Sequence, residues 1–225
     1  MRFKNILFPK RCRYCGSVIS LNKESCPDCE AAARLVPSEY CTYCGCEKEL
    51  CVCKQHKMHY DSVNAAFYYT DSIKKLIHRM KFDDGCELCE FMADMMYQRY
   101  KTLSSSFDMI CYVPQTEAEL QERGFNQSKL LAELLSIKCR LPVVPALTKI
   151  YETEHQRSLR ALERSGNVFG VFDIADREAI KDKSILLVDD IKTGGATLNE
   201  CAKMLKIYDA GTVTALVFAV GITDN

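Results

Sequence analysis

The last three-quarters of the chain alternate between two hydrophobic patterns. Short, mostly apolar runs have the length of buried strands, at residues 62–69, 109–113, 168–174, 185–188 and 212–220. Segments with apolar positions three and four apart predict helices, at residues 71–80, 84–103, 123–135 and 196–208. A polar stretch at residues 148–166 predicts a loop or an exposed helix. Alternating strands and helices predict an α/β fold with a largely parallel sheet.

The first quarter of the chain has few large apolar side chains and nine of the fourteen cysteines. Most of them form close pairs: Cys12 with Cys15, Cys26 with Cys29, Cys41 with Cys44, and Cys51 with Cys53. Thiols stay reduced in the cytoplasm, so a disulfide framework is a poor explanation there. Four thiolates per ion is a common structural Zn²⁺ site, and each such site contributes roughly 10 to 16 kcal/mol of folding energy. The spacing therefore predicts two structural zinc sites.

The pairing of these cysteines is open on spacing alone. Sequential pairing gives a double zinc ribbon, interleaved pairing is an alternative, and Cys46 is a candidate to replace Cys44 or one of the last two cysteines. The change in composition divides the chain into a zinc ribbon domain at residues 1–58 and an α/β domain at residues 59–225. No apolar run is long enough to span a bilayer, and the N-terminus has no signal-peptide core. We therefore expect a cytoplasmic protein without membrane insertion.

The most informative stretch is the run at residues 185–188 together with the residues directly after it. Asp189 and Asp190 come immediately after this predicted strand, and a glycine turn leads into the next helix. Parallel sheets bind ligands beyond the carboxyl ends of their strands, where such a turn presents N–H groups to an anion. Carboxylates repel phosphate, so hydroxyl donors or a metal ion must lie between the acidic pair and the anion. Ribose hydroxyls and a hydrated Mg²⁺ meet this requirement. The pattern predicts a pocket for a phosphorylated sugar.

This arrangement resembles the motif with which type I phosphoribosyltransferases bind 5-phosphoribosyl-1-pyrophosphate (PRPP). In that family the acidic pair takes the ribose hydroxyls, and the following loop cradles the 5-phosphate. The matching loop residues here are Thr193, Gly194, Gly195, Ala196 and Thr197. The family usually has a threonine where this chain has Gly194, so one hydroxyl contact is lost and the backbone amide stays. Neither a Walker A motif nor a GxGxxG motif occurs, which disfavours ATPase and dinucleotide-binding functions.

Two further blocks extend the resemblance. RGFNQ occupies residues 123–127, and a Q-x2-L-x4-R-x2-N block occupies residues 156–167. With the acidic motif and the cysteine-rich segment, these blocks resemble the ComF family of bacterial competence proteins over nearly the whole chain. Lys81, followed by an aromatic residue, matches a family position as well. The resemblance implies a double zinc ribbon joined to a type I phosphoribosyltransferase-like domain, and a link to DNA uptake.

A departing pyrophosphate needs cationic groups, and Arg123, Lys81 and Arg164 are the candidates. In a transferase, Arg123 and the two aspartates would be the catalytic residues. An alternative is that RGFNQ only starts a helix and that the later arginines pair with nearby glutamates.

Three functions remain open at this point. The first is PRPP binding with Mg²⁺, linked by resemblance to natural competence. The second is an active phosphoribosyltransferase with an unidentified nucleobase or amine acceptor. The third is a zinc ribbon protein that binds single-stranded DNA or DNA-uptake proteins without catalysis. The net charge of zero gives no support for a large nucleic-acid surface. DNA contact would need a local basic cluster and stacking aromatic residues, for which the candidates are Lys4, Lys10, Arg11, Arg13, Tyr14, Tyr40 and Tyr43.

Overall fold

A sheet of four parallel strands forms the centre of the structure. The computed structural model describes residues 9–51, 53, 58–83, 85–150 and 171–221. The sheet strands are β1 (Ser62–Tyr68), β2 (Met109–Tyr112), β5 (Ser184–Lys192) and β6 (Thr212–Val220), in the order β1-β6-β5-β2. Nearly every residue of these strands is buried, as a sheet covered on both faces requires. The predicted α/β class and parallel sheet are confirmed.

A short antiparallel pair lies apart from this sheet. It consists of β3 (Leu147–Lys149) and β4 (Phe172–Ile174). The prediction of loop or helix from residue 148 was therefore wrong at its start, because Thr148 and Lys149 pair with Asp173 and Phe172. The strand expected at residues 168–174 begins only at Phe172 within the described part, and residues 168–170 lie outside it.

Helices cover both faces of the sheet. They are α1 (Pro27–Ala32), α2 (Asp71–Phe82), α3 (Gly85–Tyr100), α4 (Glu117–Arg123), α5 (Gln127–Cys139), α6 (Arg177–Ile180) and α7 (Ala196–Ile207). Apolar residues of α2, α3 and α5 share one core with one face of the sheet. The apolar side of α7 belongs to the core on the other face. The inner strand β5, which carries the acidic motif, therefore lies between two helical layers.

The helix predicted at residues 123–135 begins only at Gln127, and Arg123 is the last residue of the separate helix α4. Thr116 and Glu119 form a capping box that starts α4. Gly124 ends that helix with a φ of +77°, a conformation that glycine adopts without the strain of a side chain. Asn126 then caps α5 by accepting a hydrogen bond from the backbone N–H of Lys129. The RGFNQ block is thus the corner between two helices.

The cysteine-rich segment packs directly on the sheet edge at β1. The backbone N–H of Val36 donates to Ala66 O at 3.0 Å, and the N–H of Tyr68 donates to Arg34 O at 2.8 Å. Cys12 is buried in the core on one face of the sheet, and Cys46 is buried in the core on the other face. The segment therefore shares its hydrophobic contacts with the α/β part, and the domain boundary after residue 58 stays a prediction.

Candidate functional site

The two aspartates lie inside strand β5 and not beyond its end. The expected strand at residues 185–188 was too short, because pairing with β6 continues through Asp189 opposite Val217 and on to Lys192 opposite Val220. Both carboxylates are consequently buried, with Asp189 8% and Asp190 4% exposed. Two adjacent buried carboxylates cost free energy unless a ligand, a hydrogen bond or a cation offsets them.

Asp189 is held by the start of helix α5. Its Oδ1 accepts a hydrogen bond from Ser128 Oγ at 2.7 Å and another from the backbone N–H of Asp190 at 2.9 Å. Burial, and then the charge of Asp190, raises the pKa of Asp189 to about 8, although the hydrogen bond from Ser128 lowers it. Strongly shifted pKa values of this kind cluster at functional sites.

Asp190 is paired with a lysine that lies far from it in the sequence. Lys81 Nζ, in the last turn of α2, lies 2.6 Å from Asp190 Oδ2. The two groups form a close ion pair. Only 18% of the Lys81 side chain is exposed, so solvent screens the pair weakly. The structure thus brings the predicted Lys81 directly to the acidic pair.

The turn after β5 presents exposed groups above a helix N-terminus. Thr193, Gly194 and Thr197 are exposed, and α7 begins at Ala196. Gly195 precedes α7 with a φ of +82° and provides no side chain to cap the helix. The first N–H groups of α7 are therefore available to an anion. A Cβ at Gly194 would meet no atom within 4 Å, so the backbone here does not exclude the threonine that the family usually has.

Arg123 lies at the corner between α4 and α5, away from the ion pair. With the Gln115 amide turned so that its oxygen faces the guanidinium, that oxygen accepts from Arg123 Nη1 at 3.0 Å. Arg123 Nε is buried and has no hydrogen-bond partner among the described residues. Among the described residues, Arg123 forms no hydrogen bond or ion pair with either aspartate. Arg164, with Gln156 and Asn167 of the same block, lies outside the described residues.

The eight predicted metal ligands lie in two groups of four. One group is Cys12, Cys15, Cys26 and Cys29, and the other is Cys41, Cys44, Cys51 and Cys53. Within each group the ligand atoms are all within 4.8 Å of one another. Four sulfurs bound at about 2.3 Å to a tetrahedral Zn²⁺ lie about 3.8 Å apart. The Sγ atoms are 3.8 Å apart for Cys15 and Cys26, and 3.7 Å for Cys41 and Cys53, so the donor sets fit zinc.

This grouping is the sequential one, and Cys46 takes no part in it. Its side chain is buried in the core beside the sheet, and its Sγ lies 3.8 Å from the carbonyl oxygen of Gly221. Burial raises the pKa of Cys46, which keeps it a neutral thiol. Below we call the group of Cys12, Cys15, Cys26 and Cys29 the first cluster. We call the group of Cys41, Cys44, Cys51 and Cys53 the second cluster.

The basic residues considered for DNA contact are engaged within the protein, although a single carboxylate offsets only part of their charge. Lys10 and Arg13 both pair with Glu24, and Arg11 donates to the carbonyl oxygen of Gly16. Lys4 lies outside the described residues. Tyr14 is only 8% exposed, so it is not available for stacking on bases.

The other two aromatic candidates differ from each other. Tyr40 lies under the Arg99 guanidinium, whose Cζ is 4.0 Å from the ring centroid. Tyr43 keeps 39% of its surface exposed.

Sequence reasoning missed two residues at this site. Ser128 donates a hydrogen bond to Asp189 and directly follows the RGFNQ block. Its position next to that block was the sequence signal that could have identified it. Lys192 is the second, since it is the last residue of β5, is only 6% exposed, and has its Cε 2.9 Å from where a Cβ on Gly195 would lie.

Comparison with curated proteins gives relatives along most of the chain. The chain is 27% identical over 212 residues to Competence protein F of Haemophilus influenzae, covering 88% of this chain and 92% of that protein. It is 27% identical over 209 residues to DNA utilization protein YhgH of Escherichia coli, with 90% and 86% covered. It is 24% identical over 195 residues to Competence protein ComFC of Bacillus subtilis, with 82% and 78% covered. The resemblance to the ComF family is confirmed. No family model matches the chain.

Similar solved structures include several phosphoribosyltransferases. Adenine phosphoribosyltransferase from Thermoanaerobacter pseudethanolicus has a TM-score of 0.40 at 12% identity, over 85% of this chain and 98% of that one. A Neisseria gonorrhoeae protein with bound ppGpp has a TM-score of 0.41 at 16% identity, over 59% and 66%. These values are low, and the fold class rests on the sheet described above. Separately, no helix in the described ranges is both long and apolar enough to cross a bilayer.

Proposed function

We propose that this chain binds PRPP, or a related phosphorylated sugar, together with Mg²⁺ at the end of β5. The observation that carries the proposal is the meeting of two buried carboxylates, Asp189 and Asp190, with the open N-terminus of α7. The carboxylates accept hydrogen bonds from hydroxyls, and the helix N-terminus attracts a phosphate. A ligand that carries hydroxyls at one end and a phosphate at the other satisfies both.

Each residue has a part in this proposal. Asp189 and Asp190 accept from the ribose hydroxyls, and Ser128 orients Asp189 through its 2.7 Å hydrogen bond. The backbone and hydroxyls of residues 193–197 receive the 5-phosphate. Lys81, already 2.6 Å from Asp190, adds a cation beside the ligand. Bound Mg²⁺ would supply the positive charge that lets the ligand's phosphates lie near the acidic pair.

Arg123 and Arg164 remain candidates for a pyrophosphate group. The unpartnered Nε of Arg123 is consistent with a group that awaits an anion. Transfer of the phosphoribosyl group to an acceptor would be a further activity of the same site, and pyrophosphate release in the presence of candidate acceptors measures it.

The zinc ions are part of the same proposal. We propose one structural Zn²⁺ in each cluster, within a zinc ribbon domain at residues 1–58, and an α/β domain at residues 59–225. The names of the relatives from Haemophilus influenzae and Escherichia coli refer to competence and DNA utilization. On that basis we propose a cytoplasmic role connected with DNA uptake, with single-stranded DNA or a DNA-uptake protein as a partner.

The experiment compares PRPP binding by the wild-type protein and by the double variant Asp189→Asn with Asp190→Asn. We expect Mg²⁺-PRPP to raise the melting temperature of the wild-type protein and to leave that of the double variant unchanged. Zinc content, measured by plasma mass spectrometry, should be equal in both. Glu178→Gln, an exposed charge on α6, is the control and should respond like the wild-type protein. An undiminished response of the double variant would remove the ligand assignment.

A further inference from the structure

Arg79 joins helix α2 to residues 12–16, which we call the first-cluster loop. Its Nη1 donates to the carbonyl oxygen of Cys12 at 2.8 Å and to that of Arg13 at 3.0 Å. Cys12 O also accepts from the backbone N–H of Gly16 at 2.8 Å, which closes the turn around Cys12 and Cys15. Hydrogen bonds from an ionised donor are stronger than neutral ones. The last turn of α2 is therefore attached to a loop that carries two of the predicted metal ligands.

The first-cluster loop is shaped to receive the guanidinium. Gly16 has a φ of +76°, and a Cβ built on it would lie 3.0 Å from Arg79 Nε and 3.2 Å from Arg79 Cζ. A side chain at this position would crowd the guanidinium. Glycine is thus favoured here both by the backbone conformation and by the close approach of Arg79.

Lys81 lies on the opposite side of the same helical turn. Residues two apart in an α-helix point about 200° away from each other around the helix axis. Between them, Met80 is fully buried in the core, where apolar contacts hold the helix without fixing a direction. Lys81 Nζ lies 2.6 Å from Asp190 Oδ2. The rotation of this turn is therefore fixed by Arg79 on one side and by the ion pair on the other.

The shape of the first-cluster loop depends on the metal site. Cys12 and Cys15 belong to the group of four cysteines whose ligand atoms all lie within 4.8 Å of one another. Folding of a structural zinc site is coupled to binding of its metal. The two carbonyl oxygens that Arg79 binds are therefore held in position by the ion that the first cluster would hold.

We propose that Arg79 positions Lys81 at the sugar-phosphate site by anchoring the last turn of α2 to the metal-bound first cluster. Lys81 is then held beside Asp190, where it meets the incoming ligand. Metal in the first cluster strengthens sugar-phosphate binding, and metal in the second cluster does not. Arg79 is a positioning residue in this account, which rests on the proposed binding of PRPP.

A double-mutant cycle tests whether Arg79 acts through Lys81. The affinity for Mg²⁺-PRPP is measured by isothermal titration calorimetry with the full-length protein. Arg79→Met should weaken binding about fivefold or more, the lower end of ordinary coupling between sites. In the Lys81→Met background the same substitution should change the affinity less than about twofold, because the lysine that it positions is gone. A fivefold loss in both backgrounds would overturn the proposal.

Three further variants separate positioning from general loosening. Arg79→Lys keeps a cationic donor for the loop and should restore most of the affinity that Arg79→Met loses. Lys75→Gln removes an exposed charge one turn earlier on α2, and it should bind PRPP like the wild-type protein. Arg99 of α3 donates to Pro37 O at 3.0 Å, so it also ties the cysteine-rich segment to the α/β part. Arg99→Met is therefore the matched control, and an affinity loss in either control equal to that of Arg79→Met would overturn the proposal.

Two cysteine variants identify the cluster involved. Cys26→Ser removes a ligand of the first cluster and should weaken PRPP binding about as much as Arg79→Met does. Cys51→Ser removes a ligand of the second cluster and should bind PRPP like the wild-type protein. Plasma mass spectrometry should find one zinc ion lost from each variant, so that they differ only in which ion is missing. Equal losses of PRPP affinity would contradict a special role of the first cluster and would overturn the proposal.

Failure of the proposed function gives a different pattern. A wild-type protein that does not bind PRPP removes the proposed function, and the positioning of Lys81 is then tested without ligand. Urea unfolding of the wild-type protein, Lys81→Met, Asp190→Asn and their double variant measures the coupling between these two groups. The coupling should fall by about half or more in the Arg79→Met background and be retained in the Lys75→Gln background. An unchanged coupling with Arg79→Met would overturn the proposal whether or not PRPP binds.

Discussion

Replacement of Asp189 by asparagine should stabilise the protein increasingly as the pH rises. The pKa of Asp189 is raised from 3.8 to about 8, first by burial and then by Asp190. A group whose pKa is raised on folding favours the folded state at low pH, and that contribution is lost as the pH rises towards the folded-state pKa. Asparagine keeps the oxygen that accepts from Ser128 and does not titrate. The variant therefore does not lose the stability that the wild-type protein loses as the buried Asp189 ionises.

The magnitude follows from the two pKa values. Each unit of pKa difference corresponds to roughly 1.4 kcal/mol, so between pH 5 and pH 7 the variant should gain about 2 to 3 kcal/mol relative to the wild-type protein. For a chain of this size, that is a relative rise in melting temperature of about 5 to 10 °C. Above about pH 8 the advantage should stop growing, because Asp189 is then ionised in both states.

The assay is thermal unfolding of both proteins from pH 5 to pH 8 with a fixed excess of zinc. Protonation of the cysteine ligands affects both proteins equally and cancels in the difference. Glu178→Gln, an exposed charge change on α6, should follow the wild-type protein across the same range. A difference between Asp189→Asn and the wild-type protein that is constant with pH, or that shrinks as the pH rises, would refute the reasoning about the buried carboxyl group.

Three other predictions concern the site, the metal and the core. Ser128→Ala removes the hydrogen bond that lowers the pKa of Asp189, so the stability of this variant should keep falling to a pH about one unit above that at which the stability of the wild-type protein levels off, as pH-dependent unfolding will show. Cys46→Ser should keep two zinc ions per chain and Cys51→Ser only one, by plasma mass spectrometry; loss of zinc in the Cys46 variant would make it a ligand. Leu131→Ala, at a fully buried position of α5, should lower the free energy of unfolding by about 2 to 5 kcal/mol in urea titration, and a loss below about 1 kcal/mol would contradict the packing described.

The sheet could be predicted from the sequence because its strands are short apolar runs. The last strand was predicted with the bounds it has, Thr212–Val220. The end of β5 could not be predicted in the same way, since Asp189 and Asp190 are polar and look like the start of a loop. They continue the strand because their backbone pairs with β6, a partner that local patterning does not reveal.

The acidic pair and the turn were predictable as a motif, since their residues are consecutive in the chain. The ion pair between Lys81 and Asp190 joins positions more than a hundred residues apart, and no spacing rule leads from one to the other. The same holds for the packing of the cysteine-rich segment on β1 and β6, where Val36 bonds to Ala66 and Gly45 lies against Val220. Side-chain burial and charge pairing across the fold are consequences of packing, and only the structure supplies them.

A crystal structure of the protein with Mg²⁺ and PRPP tests the central claim most directly. We predict that the ribose hydroxyls lie within hydrogen-bond distance of Asp189 and Asp190 and that the 5-phosphate lies on the backbone N–H groups of residues 193–197. PRPP bound at any other surface, or bound with its phosphate away from the start of α7, would contradict the account.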